Sequence, residues 1–194
     1  MATADIGARA RVRPSRLLLV AAAGAALGSV WDLFHVSTRT TVYSIGEGRM
    51  PLWVPLEFAL VYVVGVMGIA RLGSPQPDAH SPTRLAAETA WVTIVYAITA
   101  LGHRHELLVF ALAALALLAR APTLRRVVPQ NLVPAVALVV AGPVVETILV
   151  SAGVFRYTHA SLWRVALWLP LLYANAVPFA VRLTEAALHE PARR

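Results

Sequence analysis

The chain has 194 residues, 58% of them hydrophobic and 14% charged, and its mean hydropathy of +0.67 is too apolar for a soluble domain to hide in one core. The formal net charge of +7 comes entirely from arginine, and no aromatic-and-basic platform or recognition motif accompanies it, which argues against nucleic acid as a partner. The absence of cysteine excludes disulfides, thiolate catalysis and cysteine-ligated metals.

In chain order the apolar stretches are Leu17 to His35, Pro51 to Ala70, Leu85 to Gly102, Glu106 to Ala119, Asn131 to Val150 and Leu162 to Leu183. Most approach the roughly 20 residues a helix needs to cross a bilayer core; the fourth is short and must borrow flanking residues or sit shielded by its neighbours. Continuous apolar runs exclude the alternating pattern of a barrel, and hydrogen-bond satisfaction in lipid then leaves helices alone. The predicted fold class is an all-α membrane protein, six transmembrane helices in one compact bundle. A basic N-terminal segment (1–16) precedes the transmembrane domain (17–185), and a short tail (186–194) follows it.

Arginine placement sets the orientation. The N-terminal segment, the second and fourth loops and the C-terminal end hold 12 of the 17 arginines, so both termini are predicted to be cytoplasmic, in agreement with an even number of spans. Contact of these arginines with anionic headgroups accounts for the charge. A second reading of the N-terminus is a secretory signal peptide, but the apolar run continues through Val30, Trp31, Leu33 and Phe34, and cleavage would leave five spans against the arginine bias.

Gly73 to Thr83 is a polar, proline-rich connector, too interrupted for a helix. The other connectors are read as short, which makes sequential helices antiparallel neighbours. Leu52-Trp53-Val54-Pro55-Leu56 and Leu167-Trp168-Leu169-Pro170-Leu171 form a faint internal repeat near the starts of the second and sixth spans. The tryptophans suit the headgroup boundary. The repeat is either chance or a pair of helices bent by proline at matching depth that hold a wedge open. Gly24, Gly28, Gly65 and Gly68 are expected to permit close helix approach.

Threaded alternately, the spans bring Asp32, His35, Glu57, His103, His105, Glu106 and Glu146 towards one membrane face, and ionisable groups in hydrocarbon mark a cavity, a pathway or a helix junction. Asp32 and His35 stand three apart on one helix face. Glu57 lies about 9 Å and Glu146 about 6 Å inside their spans at ~1.5 Å rise per residue. Each would be neutral there and donate a hydrogen bond, or pair with Arg104 or a histidine. The same His, Asp and Glu groups are the types a zinc site uses, although boundary residues also simply solvate turns and no HExxH pattern is present. Tyr62, Trp91, Tyr96, Tyr173 and Asn175 are the remaining polar or amphipathic groups at membrane depth, and the amide of Asn175 needs partners from a helix or a ligand. No nucleophile with an adjacent base, phosphate-cradling glycine loop or nucleotide motif is found.

Gly153-Val154-Phe155-Arg156-Tyr157-Thr158, followed by Trp168-Leu169-Pro170, resembles the Gly-Val-Tyr-Gln-Tyr-Thr and Trp-Leu-Pro of the Insig (insulin-induced gene) family. Leu52-Trp53-Val54-Pro55 is similar to its Trp-Trp-Val-Pro, and Leu112-Ala113-Ala114-Leu115 fits its fourth span. The likeness covers roughly Leu17 to Glu185. It implies a non-catalytic lipid-binding protein: vertebrate members bind oxysterols and retain a sterol-sensing partner, while bacterial relatives are expected to hold a glycerolipid such as diacylglycerol in a central V-shaped cavity. Two departures argue against the sterol-sensing partner. Ser161 stands where vertebrate members carry an acidic residue, and the connector between spans three and four is cut down to His103-Arg104-His105.

The expectation is therefore a lipid-binding protein of a bacterial inner membrane, with no cofactor and no resident metal, that senses or sequesters a neutral lipid. Its cavity is expected to be lined by Trp31, Asp32, Trp53, Glu57, Tyr62, Tyr96, His103, Glu146, Tyr173 and Asn175. A bundle this small is also a candidate for self-association. The alternatives are a metal-dependent lipid hydrolase using Asp32, His35, His103, His105 and Glu146, and a small transporter with the acidic residues as a proton path.

Overall fold

The computed structural model describes residues 12–46, 48–76 and 80–189; Arg9, Arg11, Arg193 and Arg194, the middle of the proline-rich connector and the end of the tail lie outside them. The long helices are α1 (Pro14–Ser37), α2 (Val54–Leu72), α3 (Pro82–Leu101), α4 (Glu106–Ala119), α6 (Leu132–Ser151) and α7 (Leu169–Leu188), with a short α5 (Ala121–Val127) after α4. Four segments, α1, α2, α3 and Pro129–Ser151, are long and apolar enough to cross a membrane. The pair α4 and α5, bent by 63°, makes a fifth if counted as one span. The protein is thus a multi-pass membrane protein. α7 is the most buried helix of the bundle and packs against α1, α2, α3, α4 and α6. Its mixed character, with Arg182 and Glu185 in its second half, follows from facing protein on most sides.

Two short strands depart from the all-α expectation. β1 (Thr41–Tyr43) follows α1, β2 (Phe155–Tyr157) follows α6, and they pair antiparallel with Thr41 opposite Tyr157 and Tyr43 opposite Phe155. The connectors predicted to be short therefore carry structure of their own. A three-residue ribbon is unstable alone; Tyr43, Phe155 and Tyr157 hold this one by burying their rings in the main core with Val54, Val165 and Trp168.

The ribbon is aimed by its helix ends. α6 closes in a Schellman motif: Gly153 sits at φ 74°, its N–H donates to Val150 O at 3.0 Å, and the next N–H, of Val154, reaches back to Leu149 O at 3.0 Å. α1 closes the same way, with Arg39 N–H on Val36 O at 3.0 Å and Thr40 N–H on His35 O at 2.8 Å. There the left-handed residue is Arg39 at φ 61°, a strain of about 1 kcal/mol or more for a non-glycine. Thr158, directly after the other strand, offsets it, donating its hydroxyl to Arg39 O and its N–H to Thr40 O.

The internal repeat is consequently structural: helix, Schellman turn, strand, loop, Trp-x-Pro, helix, twice over. Its prolines do not bend the helices as expected. Pro55 and Pro170 stand in the first turns of α2 and α7, with Trp53 and Trp168 at the N-caps, where proline removes only an N–H that has no intrahelical acceptor. The prolines inside helices are Pro143 and Pro178. Trp168 is not a headgroup anchor either, being fully buried. The last helix begins at Leu169 rather than Leu162, because 162–168 is an apolar loop turned by Trp163 at φ 45° and Arg164 at φ 74°.

Gly24 and Gly28 let α2 close on α1, the added Cβ meeting Tyr62 at the first and the Phe58 ring at the second. Gly65 and Gly68 face open space, so the close approach expected of them is absent. Gly28→Val should therefore destabilise the protein by about 1–3 kcal/mol through overpacking, with Gly68→Ala neutral or better, as read by thermal unfolding in detergent. An equal loss in both variants would refute close packing at Gly28.

Candidate functional site

The carboxyls of three spans meet at the strand end of the bundle. Asp32 of α1 is buried and accepts from the Tyr43 hydroxyl at 3.0 Å. Glu146 of α6 accepts from Tyr157 and, at 2.7 Å, from Tyr173 of α7. Both pairs obey one rule of the repeat: the tyrosine lies 11 residues after the carboxyl, across the Schellman turn and on the following strand. Burial, then the adjacent carboxylate, pushes the Tyr43 and Tyr157 phenols well above the ordinary tyrosine range, so both stay protonated donors. Gly142, one turn before Glu146, leaves the space that the Tyr173 ring fills.

Glu57 of α2 completes the group. It interacts electrostatically with Asp32 and Glu146 but has no hydrogen-bond partner among the described residues, and it is half-buried. Neither Glu57 nor Glu146 pairs with Arg104, which is exposed.

Below this lies an aromatic wall. Trp31 stacks on Tyr96 at 5.2 Å between ring centres, meets the Phe179 edge at 5.4 Å, and donates to Thr93 Oγ1 at 2.9 Å. Tyr62 packs on Phe179 at 5.9 Å, with its hydroxyl buried and without a hydrogen-bond partner among the described residues. Trp53 stands edge-on to Tyr43 at 5.9 Å.

Other predicted residues serve the frame. His35 diverges from Asp32, sharing a hydrogen bond with Thr99 Oγ1 at 2.8 Å between α1 and α3. His103 is buried with Nδ1 2.8 Å from Ala100 O, its ring 5.8 Å from that of His159. Glu106 accepts from Ser161 and, at 3.0 Å, from the Leu167 N–H, fixing the loop ahead of α7. Asn175 joins three helices: its Nδ2 donates to Ala113 O at 3.1 Å and Leu171 O at 2.9 Å, and its Oδ1 accepts from Trp91 Nε1 at 3.1 Å. That leaves one lone pair for anything else. Among the described residues no three His, Asp or Glu side chains form a group able to hold a metal ion.

Two carboxyls escaped the sequence reading, which placed nearly every ionisable group at one end. Glu88 of α3 is buried in an ion pair with Arg120, whose guanidinium lies 4.9 Å from the centre of the Trp91 ring. Glu185 of α7 pairs with Arg182 at 2.6 Å. The available signal was an acidic residue at the arginine-rich end of an apolar run, where burial demands a cation.

Asn175→Ala should cost about 2–4 kcal/mol, since it leaves Trp91 Nε1 and a carbonyl unsatisfied in the core, and Glu88→Gln about 3 kcal/mol by stranding Arg120. Both are read from denaturation in mild detergent. Losses under about 0.5 kcal/mol would show these groups to be solvated instead.

No protein-family model and no curated protein matches the sequence. Among solved structures, the mycobacterial Insig homolog MvINS from Mycobacterium vanbaalenii superposes with a TM-score of 0.81 at 28% identity, over 94% of this chain and 100% of that one. A cross-linked MvINS trimer gives 0.79 at 29% identity over the same shares. This likeness agrees with the resemblance read from the sequence, and the chain is an Insig-like membrane protein.

Proposed function

We propose that this is a non-catalytic, six-span protein of a bacterial inner membrane, with both termini cytoplasmic, that holds a neutral two-chain glycerolipid such as diacylglycerol in an intramembrane cavity as a sensor or sequestering protein. Eight of the thirteen arginines among the described residues, Arg13, Arg16, Arg71, Arg84, Arg120, Arg125, Arg126 and Arg182, lie at the end that holds the first residues of α1, which supports that orientation.

The observation that carries the lipid reading is Glu57. It is a half-buried carboxyl in an apolar helix without a protein hydrogen bond, beside two carboxyls that tyrosines already satisfy. Such a group calls for a hydroxyl donor. Three acidic groups in one place also repel an anionic headgroup, so the ligand that fits is uncharged at its polar end and bears a hydroxyl. Trp31, Tyr62 and Tyr96 give the acyl chains an aromatic wall, while Asp32, Glu146 and Tyr173 frame the head. Trp53 closes the site beside Tyr43, and His103 and Asn175 act as supports. A metal-dependent hydrolase gains nothing from this geometry, because His35 and His103 bond to neighbouring helix groups and do not converge with the carboxyls. Self-association belongs to the proposal on the strength of the cross-linked MvINS trimer.

Native mass spectrometry of the purified chain with added dioleoylglycerol tests this. One intact lipid per chain is expected, insensitive to a zinc chelator. Glu57→Leu should weaken retention by about tenfold, the loss of one good hydrogen bond to a charged or buried group, while the unfolding midpoint holds because the Glu57 carboxyl bonds no described residue. Absence of lipid from the wild type, or release of free fatty acid, would overturn the reading.

A further inference from the structure

The opposite end of the bundle holds a cavity of about 410 Å³ between α3, α5, α7 and the turn Pro129–Asn131. Arg84, Arg125, Arg126 and Arg182 line it, and Glu185 is the one carboxylate among the described lining residues. Four guanidinium groups against one carboxylate leave three net positive charges. The floor is built. Arg182 donates Nη1 to Glu185 Oε2 at 2.6 Å, which fixes the plane of its fork.

The walls are held as well. Gln76 Nε2 donates to Gln130 Oε1 at 3.0 Å, and the Ser74 N–H donates to Gln130 O at 3.1 Å and to Asn131 Oδ1 at 3.1 Å, which ties the end of α2 to the start of α6. The Gln76 N–H reaches Glu185 Oε1 at 3.4 Å. Arg84, Arg125 and Arg126 stand exposed at the rim, and no described side chain pairs with their guanidinium groups.

We infer that this cavity binds a phosphate group, carried by an anionic phospholipid of the surrounding leaflet or free in solution, with Arg125 and Arg126 engaging the phosphate oxygens. Guanidinium forks match tetrahedral oxyanions in geometry as well as charge. A concave site with low-dielectric walls concentrates their field beyond that of scattered surface arginines. The site lies at the far end of the bundle from the carboxyl and tyrosine group and does not depend on what binds there.

The full chain in mild detergent is titrated with dioleoylphosphatidylglycerol, dioleoylphosphatidylcholine and inorganic phosphate, with occupancy read by native mass spectrometry. One phosphatidylglycerol or one phosphate should bind per wild-type chain. R125Q/R126Q should weaken it about tenfold or more, on the scale of lost charge-assisted hydrogen bonds. R16Q/R71Q, which removes equal charge from the same end outside the cavity, should leave it unchanged. Displacement of the lipid by phosphate would make the phosphate group alone sufficient, whereas binding of phosphatidylglycerol only would assign the site to the leaflet; either result supports the site. Should R125Q/R126Q fail to fold, Arg84→Gln at the exposed start of α3 carries the same test. The inference falls if neither anionic probe binds, if phosphatidylcholine binds as tightly, or if R16Q/R71Q weakens binding as much as R125Q/R126Q.

Discussion

A buried carboxyl needs a donor, and here the donor arrives from the strand that follows each carboxyl-bearing helix. Tyr43 returns to Asp32 and Tyr157 to Glu146, and each such bond to a charged or buried acid contributes about 1.5–3 kcal/mol. The strands can supply those hydroxyls only because both helices end in a Schellman turn that reverses the chain. They remain extended only because they pair with each other. Remove the pairing and both tyrosines lose their aim, leaving Asp32 without its donor and Glu146 with Tyr173 alone. The ribbon is six residues of a chain that is otherwise largely helix, yet the polar end of the molecule is organised around it.

Duplication explains why this works twice. Asp32, Arg39 and Tyr43 correspond to Glu146, Gly153 and Tyr157 at a constant spacing, and each unit then enters its second helix through Trp-x-Pro. The halves differ where the site needs them to. α2 carries Glu57 one turn after Trp53, where α7 carries the buried Leu172 one turn after Trp168. Symmetry thus supplies two satisfied carboxyls, and the break in symmetry supplies the third, open one.

Much of the architecture was legible because hydropathy reports burial in lipid directly. α4, bounded by His105 and Arg120, falls on its expected residues, and α1, α2, α3 and α6 lie within three residues of theirs. Hydropathy does not separate a buried loop from a helix, so Leu162 to Trp168 was read as span, although Trp163 and Arg164 take left-handed angles no helix allows. Three-residue strands are too short for alternation to register. Proline near a helix start reads as a bend until the start itself is known, which reversed the reading of Pro55 and Pro170. Among the candidate residues, the acids in apolar runs could be singled out, but their partners could not. Nothing local in the sequence says that Glu146 meets Tyr157 and Tyr173, or that Asn175 closes on Trp91 from 84 residues away.

Inside a bilayer, acyl chains gain little by leaving lipid for protein, so selectivity has to come from the polar ends of the cavity walls. The two ends of this bundle differ in sign. One gathers Asp32, Glu57 and Glu146 among tyrosine hydroxyls, a setting that accepts hydroxyl donors and repels anions. The other gathers Arg84, Arg125, Arg126 and Arg182 around a single carboxylate. A phosphate headgroup at the acidic end would meet carboxyl groups that offer it no balancing charge, while at the basic end it would meet the guanidinium groups of Arg84, Arg125 and Arg126, which no described side chain pairs. On this reading the molecule sorts lipids by headgroup charge: neutral hydroxyl-bearing lipid between the helices at the strand end, phosphate-bearing lipid against the arginine cavity. The duplicated scaffold produces the first site at the strand ends and leaves the opposite end, where α5 lies outside both repeat units, free to become the second.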